Sequence, residues 1–324
     1  MKISNMELCD KPVFLAPMED VTDPSFRYIC KYFGADMMYT EFIAAEGLVR
    51  DAAKSVAKLD IFDYERPVGV QIYGHEISSM VEAAKLAEQA NPDVIDINFG
   101  CPVRKIAARG AGSGMMLFPD KMIEMTRRIV DAVTIPVTVK TRLGWDENSK
   151  IIVELAERLQ DAGIAAITIH GRTRSQLYKG EADWTLIGEV KKNQRMRIPV
   201  IGNGDIDSPQ KAKKMFDDYG VDAIMIGRAT YGQPWIFKSI KHYVKTGELL
   251  AEPSVSERVR IAKMHFGKSL EVKGERVGVL EMRRHLSCYF KGLPDFKETR
   301  LKLVTENEPE KIIELLDFIN KCWG

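Results

Sequence analysis

Eight short runs rich in Val and Ile constrain the fold of this chain more than any other feature. They lie at 13–16, 37–42, 68–72, 94–98, 137–141, 166–170, 200–203 and 223–227. None shows a clean polar alternation, and strands buried on both faces of a parallel sheet read this way. Helix signals fill the gaps. Asp23-Pro24 offers an N-cap followed by Pro at the first helical position, and Ser208-Pro209 repeats that device before a helix ending at Gly220. An apolar-periodic stretch at 151–163 closes on another Gly. Eight strand–helix units in about 240 residues predict an α/β fold of the TIM (β/α)8 barrel type. A doubly wound open sheet shares the alternation, but the GxGxxG that opens a dinucleotide-binding half is missing. The nearest match, Gly110-Ala-Gly112-Ser-Gly114, has the wrong spacing and reads as a flexible turn.

The pattern breaks at 246–253 (TGELLAEP). Ser254 and Glu257 then form an S-x-x-E capping box, and Val259, Ala262, Phe266 and Leu270 fall on one helical stripe. The expected organisation is a catalytic barrel over 1–245, a linker over 246–253 and a small C-terminal all-α helical domain over 254–324. A chain of 324 residues is long enough for one large and one small domain. The net charge of +1 hides an asymmetry, because 238–302 carries a net +7 and the two flanking parts −3 each. Such a block suits a polyanionic partner, and it also suits an ordinary solvated helical surface. No run of about 18 apolar residues exists, which excludes a transmembrane helix, and the N-terminus lacks the apolar core of a secretory signal. Five scattered cysteines without CxxC or Cys/His spacing argue against a disulfide framework, a zinc site and an iron–sulfur site. A cytoplasmic protein with reduced thiols and no bound metal is expected.

Barrels of this class place chemistry at the C-terminal ends of their strands. The glycine-rich ends of strands seven and eight, Gly202-Asn203-Gly204-Asp205 and Gly227-Arg228, stand where such barrels bind phosphate: glycine lets backbone N–H groups approach an anion, and Arg228 adds a charge-assisted bond. The same glycines also serve simple tight turns. Lys140 lies inside an apolar strand, where a cation needs a partner. That partner is either an anionic ligand or a carboxylate such as Asp96 or Glu41. Gln71, at the end of strand three, presents an amide that can both donate and accept. A phosphate grip, an amide and a buried cation together suit flavin mononucleotide, FMN. His170 is either a ligand contact or a hydrogen-bonded strand-end histidine. Cys101, on a Gly-Cys-Pro turn, is the chemical candidate. Nothing beside it in sequence resembles an activating base, so proton donation is its more natural role.

LAPMEDVTDPSFR, DINFGCPVRKI, VTVKTRLGW, ITIHGRTR, IGNGDI and IMIGRA resemble, in order, the motifs of the tRNA-dihydrouridine synthases over about 12–235. The segment after Cys101 is most similar to the bacterial B subgroup. MEDVTD differs from the more usual M-A-G-V-T-D. The resemblance implies an FMN-bearing barrel with a helical C-terminal domain. It implies that NADPH (or NADH) reduces FMN, that hydride passes to C6 of a flipped uridine in tRNA, and that Cys101 protonates C5. By motif, Pro17, Met18 and Glu19 would meet the flavin through the backbone. Gln71, Lys140 and His170 would address its ring or phosphate tail. Asn203, Gly204, Asp205, Gly227 and Arg228 would hold ribityl and phosphate groups, and Asn98 and Arg142 the uracil. Arg258, Lys263, Lys268, Arg283, Arg284 and Lys291 would grip tRNA phosphates. Two other readings stand beside this one. One is an FMN barrel oxidoreductase acting on a small pyrimidine, as a dihydroorotate dehydrogenase does. The other is a tRNA-binding module without redox chemistry. The sequence leaves the oligomeric state open.

Overall fold

The computed structural model describes residues 1–324. Eight parallel strand positions form a closed (β/α)8 barrel, followed by a C-terminal helical region. In chain order the barrel strands are Val13–Leu15, Met38–Tyr39 with Ile43–Ala44, Val68–Tyr73, Val94–Asn98, Val137–Arg142, Ala166–His170, Val200–Asn203 and Ala223–Ile226. Each pairs with its sequence neighbours, and the last pairs with the first. A parallel bridge between Phe14 and Met37 closes the ring, with Leu15 N–H donating to Met37 O at 2.9 Å.

The second strand departs from the continuous run 37–42 expected from sequence. Tyr39 pairs with Gly69 and Ile43 with Ile72, so four residue steps oppose three and one residue bulges out. The Thr40 hydroxyl takes up the ladder position at the bulge, accepting from Gln71 N–H at 3.2 Å. The extra residue turns Phe42 into the cavity at the top of the barrel. An antiparallel pair, Lys2–Ile3 with Met6–Glu7, precedes the barrel. Its Ile3 is fully buried in one cluster with Phe14, Met37, Tyr39, Val94, Ala166, Ile201 and Ala223, which fills the lower barrel. The sequence pattern gave no warning of this plug.

The helix caps follow the sequence reading. Asp23 accepts from Ser25 N–H and Phe26 N–H, Ser208 caps Pro209–Tyr219, and Gly220 ends that helix in the left-handed conformation. The Ser254–Glu257 capping box is formed in full. The helix it opens, Val255–Tyr289, is not one rod. Gly274 has φ 72° and ψ 168°, a conformation essentially reserved for glycine. The His265 and His285 rings lie 4.7 Å apart, whereas 20 residues of straight helix would separate them by about 30 Å. Gly274 therefore folds the segment into an antiparallel helical hairpin, which packs on Lys297–Thr305 and Pro309–Trp323.

The hairpin also packs against Pro24–Tyr32, the first barrel helix. A buried polar cluster marks the seam. Lys273 Nζ sits 2.8 Å from Asp23 Oδ2, and His265 bridges Ser25 Oγ at 3.4 Å and the Tyr289 hydroxyl at 3.0 Å. Nearby, the buried Arg27 guanidinium grips Glu65 through both carboxylate oxygens and donates to Thr22 O and Asp60 O. These bonds tie the loop after the first strand to the chain entering the third.

Candidate active site

The C-terminal ends of the barrel strands open into a cavity of about 620 Å³. Its walls include Cys101, Asn98, Arg142 and all eleven residues expected to hold a cofactor: Pro17, Met18, Glu19, Gln71, Lys140, His170, Asn203, Gly204, Asp205, Gly227 and Arg228. The strands explain the convergence. Asn98 is in register with Lys140, Arg142 with His170, and His170 with Asn203, so alternate residues of adjacent strands point inward at one level. The runs read from sequence as lacking a clean polar alternation carry one on three of these strands. Asp96 and Asn98, Thr138, Lys140 and Arg142, then Thr168 and His170 occupy alternate positions of their strands, with apolar residues between them except at Thr141.

Four cations and four carboxylates line the cavity, and the positive charge is concentrated on one side, where Lys140, Arg142, Arg172 and Arg228 surround His170. Lys140 has no carboxylate partner; its Nζ donates to Asn203 Oδ1 at 3.1 Å, and Asn203 in turn donates to Met225 O at 2.7 Å. Burial and the neighbouring Arg142 lower the Lys140 ammonium to about 8. Burial, reinforced by Arg142, Lys140, Arg172 and Arg228, drives His170 well below its ordinary value, so its ring is neutral. Its Nδ1 is buried without a hydrogen-bond partner.

Asp205 is the carboxylate that pairs with these cations. It pairs with buried Arg172 at 2.5 Å and with Arg228 at 3.1 Å, and it accepts from Ala182 N–H at 2.8 Å. Its carboxylate is thus spent on positioning arginines. Glu19 points to Lys58, 2.5 Å away, which leaves its backbone for any ligand in the cavity. Tyr178, 53% exposed at the mouth, lies beneath the Arg228 and Arg142 guanidiniums at 4.6 and 5.6 Å from its ring centre. Arg172 and Tyr178 were absent from the expected site. The buried Arg in HGRT was the available signal for the first. Tyr178 sits in an irregular loop that carries no periodic signal.

Cys101 is 8% exposed and faces the cavity. Burial pushes its thiol up, so it carries its proton at neutral pH. The turn that carries it is braced on every side. Asn98 Oδ1 accepts from Gly100 N–H at 3.0 Å and Cys101 N–H at 2.8 Å, and Arg142 Nε donates to Gly100 O at 2.7 Å. The other Arg142 bonds go to Thr173 O and Leu177 O. Ser113 Oγ donates to Cys101 O at 2.7 Å. The glycine segment read as a flexible turn is instead a buried 3-10 helix, Gly112–Leu117. A Cβ on Gly112 would lie 3.0 Å from Cys101 O and 3.1 Å from Cys101 Cβ, so glycine allows this helix to clamp the cysteine. Asn98 and Arg142 are struts of the turn, yet each retains free donors: one N–H of Asn98 and the Nη2 hydrogens of Arg142.

None of the six basic residues expected to meet polyanion lines the cavity. Five are engaged within the protein. Arg258 donates to Pro253 O, and Lys263 pairs with Asp317. Lys268 pairs with Glu271 and lies over the Tyr28 and Tyr64 rings. Arg283 binds Thr305 O, Glu306 O and Asn307 Oδ1 at the end of a helix. Arg284 donates to Asp20 O at 2.7 Å, joining the hairpin to the loop that carries Glu19. Lys291 alone is exposed without a partner, as are Arg260, Arg276, Lys297, Arg300 and Lys302, which sequence reasoning passed over.

A barrel whose upper cavity joins a cluster of cations to a protonated, clamped cysteine defines an enzyme of the ligand-binding barrel class. The chain belongs to the dihydrouridine synthase family, whose family model, "Dihydrouridine synthase (Dus)", matches residues 14–321. It is 41% identical over 319 residues to a probable tRNA-dihydrouridine synthase of Rickettsia conorii, covering 97% of this chain and 96% of that one. It is 40% identical over 288 residues to tRNA-dihydrouridine synthase B of Pseudomonas aeruginosa, covering 89% and 86%. A solved 2-naphthoyl-CoA reductase has the same barrel with a TM-score of 0.59 at 13% identity, over 75% of this chain and 51% of that chain.

Proposed function

We propose that this dihydrouridine synthase holds FMN in the barrel cavity, takes reducing equivalents from NADPH or NADH, and reduces a uridine of tRNA to 5,6-dihydrouridine. The observation that carries the reading is the meeting, in one cavity, of a cationic anion site and a buried protonated thiol. The residues suit the cofactor on this structure's own terms. His170 Nδ1 is a buried polar atom without a partner, and of Lys140, Arg142, Arg172 and Arg228 around it only the last two are hydrogen-bonded to a carboxylate, the shared Asp205. Backbone of 17–19, with Gln71, Lys140, His170, Asn203, Gly204, Gly227 and Arg228, would hold the group, and Asp205 would orient Arg228. Bound there, a reduced flavin supplies the hydride.

The chain's own residues do the rest. Lys140 stabilises negative charge at the base of the cavity. Hydride addition at C6 of uracil builds negative charge toward C5, and Cys101 Sγ, protonated and fixed, delivers a proton there. The free donors of Asn98 and Arg142 address the uracil. A uridine stacked in folded RNA cannot reach the cavity floor, so it must be flipped out of the stack. The helical segment 254–324, with its exposed cations, grips the RNA backbone, and the location consistent with this substrate is the cytoplasm.

The test is turnover. Purified protein supplied with FMN, NADPH and unmodified tRNA should form dihydrouridine and should show no comparable turnover of free dihydroorotate. A protein that binds tRNA yet retains no flavin would overturn the reading.

A further inference from the structure

Beneath the cavity a chain of side-chain amides runs from the barrel interior to the cysteine turn. Asp96, fully buried, accepts from Thr138 Oγ1 at 2.6 Å and from Gln71 Nε2 at 2.5 Å. Gln71 Oε1 accepts from Asn98 Nδ2 at 2.8 Å, and Asn98 Oδ1 accepts from the Gly100 and Cys101 N–H groups. Every link has a direction, and the two ends set it. Backbone N–H groups only donate, so Asn98 must turn its oxygen to them and its amino group to Gln71. Gln71 must then present oxygen to Asn98 and its amino group to Asp96. Only an acceptor at position 96 lets both amides be satisfied at once.

We propose that Asp96 is a positioning residue that fixes the direction of the Gln71–Asn98 chain and thereby the orientation of the Cys101 turn. It touches neither the cavity nor the thiol. The role rests on the proposed chemistry of Cys101 for its consequence, although the chain stands on geometry alone. Burial raises the Asp96 carboxyl to about 6, so the site pays for keeping an acceptor here. Cooperative chains of this kind lose more than one bond when one member is reversed.

The test exchanges the two ends of the chain at constant volume. Asp96→Asn keeps an oxygen for Gln71, with its amino group turned to the Thr138 hydroxyl. Asn98→Asp places a carboxylate on each side of Gln71, whose amide can satisfy only one through the existing geometry. Combining Asp96→Asn with Asn98→Asp reverses the chain and satisfies every link again, with the net charge restored. The readout is the rate of alkylation of Cys101 by iodoacetamide, resolved by peptide mass spectrometry, which needs neither cofactor nor tRNA. Asp96→Asn should stay within about threefold of the parent. With each rate corrected for the thiol pKa read from the pH dependence of alkylation, Asn98→Asp should react about tenfold faster, and the exchange should return to within about threefold. The kcat for dihydrouridine formation should fall in Asn98→Asp and recover when Asp96→Asn is added to it. Independent, additive effects, or an exchange no better than Asn98→Asp alone, overturn the role of Asp96. An alkylation pattern as expected with no dihydrouridine from the parent protein overturns the proposed function and leaves the chain standing.

Discussion

Cys101 and Lys140 carry the most direct tests at the scale of single residues. Replacing Cys101 with Ala removes a buried protonated thiol without touching the cation cluster, so flavin content and its bleaching by NADPH should persist. Dihydrouridine formation should fall by roughly 10²–10⁴-fold, the usual worth of a positioned general acid. Product formed at the parent rate would assign the proton to another group. Replacing Lys140 with Met removes the cation hydrogen-bonded to Asn203 and leaves that amide oxygen unpaired. Flavin retention after gel filtration should drop, or its reduction should slow. Because burial brings Lys140 to about 8, its charge disappears on moving from pH 7 to pH 9. Flavin reduction in the parent should weaken over that interval, and the Met variant should lack this limb. An identical pH profile in the two proteins would remove Lys140 from the role.

The helical hairpin and its seam supply the tests at the scale of elements. Gly274 makes the reversal with a backbone that L side chains rarely adopt, and a Cβ there would meet nothing within 4 Å. The cost of Gly274→Ala is therefore backbone strain, about 1–3 kcal/mol, which chemical denaturation should detect while flavin content stays constant. Unchanged stability would mean that the reversal does not need this glycine.

The seam is also sensitive to acid. Burial holds His285 at about 4 and His265 well below its ordinary value; Asp23 opposes both shifts and Lys273 adds to both, while His285 adds to that of His265 and Arg284 to that of His285. Unfolded histidine titrates near 6.5. Between pH 6.5 and 4 the folded state binds fewer protons than the unfolded one. The stabilisation is therefore complete above 6.5 and drains away as pH falls. Buried Asp96, raised to about 6, acts in the opposite sense, so the comparison of parent with His285→Leu isolates the histidine. The thermal midpoint of the parent should fall more steeply from pH 6.5 to 5 than that of the variant. Parallel curves would place the acid sensitivity elsewhere.

For the whole molecule, the distribution of charge decides where a polyanion docks. Arg283 and Arg284 are built into helix ends and the seam, so reversing them would disturb structure as well as binding. Arg276 and Lys291 are exposed and unpaired, which makes them the cleaner pair. Arg276→Glu with Lys291→Glu should raise the KM for tRNA several-fold and flatten its dependence on salt, because each lost phosphate contact releases fewer counterions. The thermal midpoint and flavin reduction should not change. Equal KM values at low salt would move the RNA surface off this face.

Much of this architecture was written locally in the chain. The eight strands, the Asp23 and Ser208 caps, the Gly220 stop and the Ser254–Glu257 capping box depend on residues within a few positions of one another, and local periodicity and turn chemistry specify them. Cys101, Lys140 and His170 were legible because a strand-end position in a barrel fixes where a side chain points. Tertiary structure alone decided the rest. The bulge at Thr40 arises from the register of a neighbouring strand, and the Lys2–Glu7 plug from an open barrel floor that no local signal records. The hairpin at Gly274 required His265, His285 and Asp23 to meet across a seam. The partners of Arg258, Lys263, Lys268, Arg283 and Arg284, and the direction Asp96 gives to Gln71 and Asn98, depend on contacts between residues far apart in sequence. A linear pattern can say that such groups are polar, whereas only packing determines which of them find one another and which stay free for a ligand.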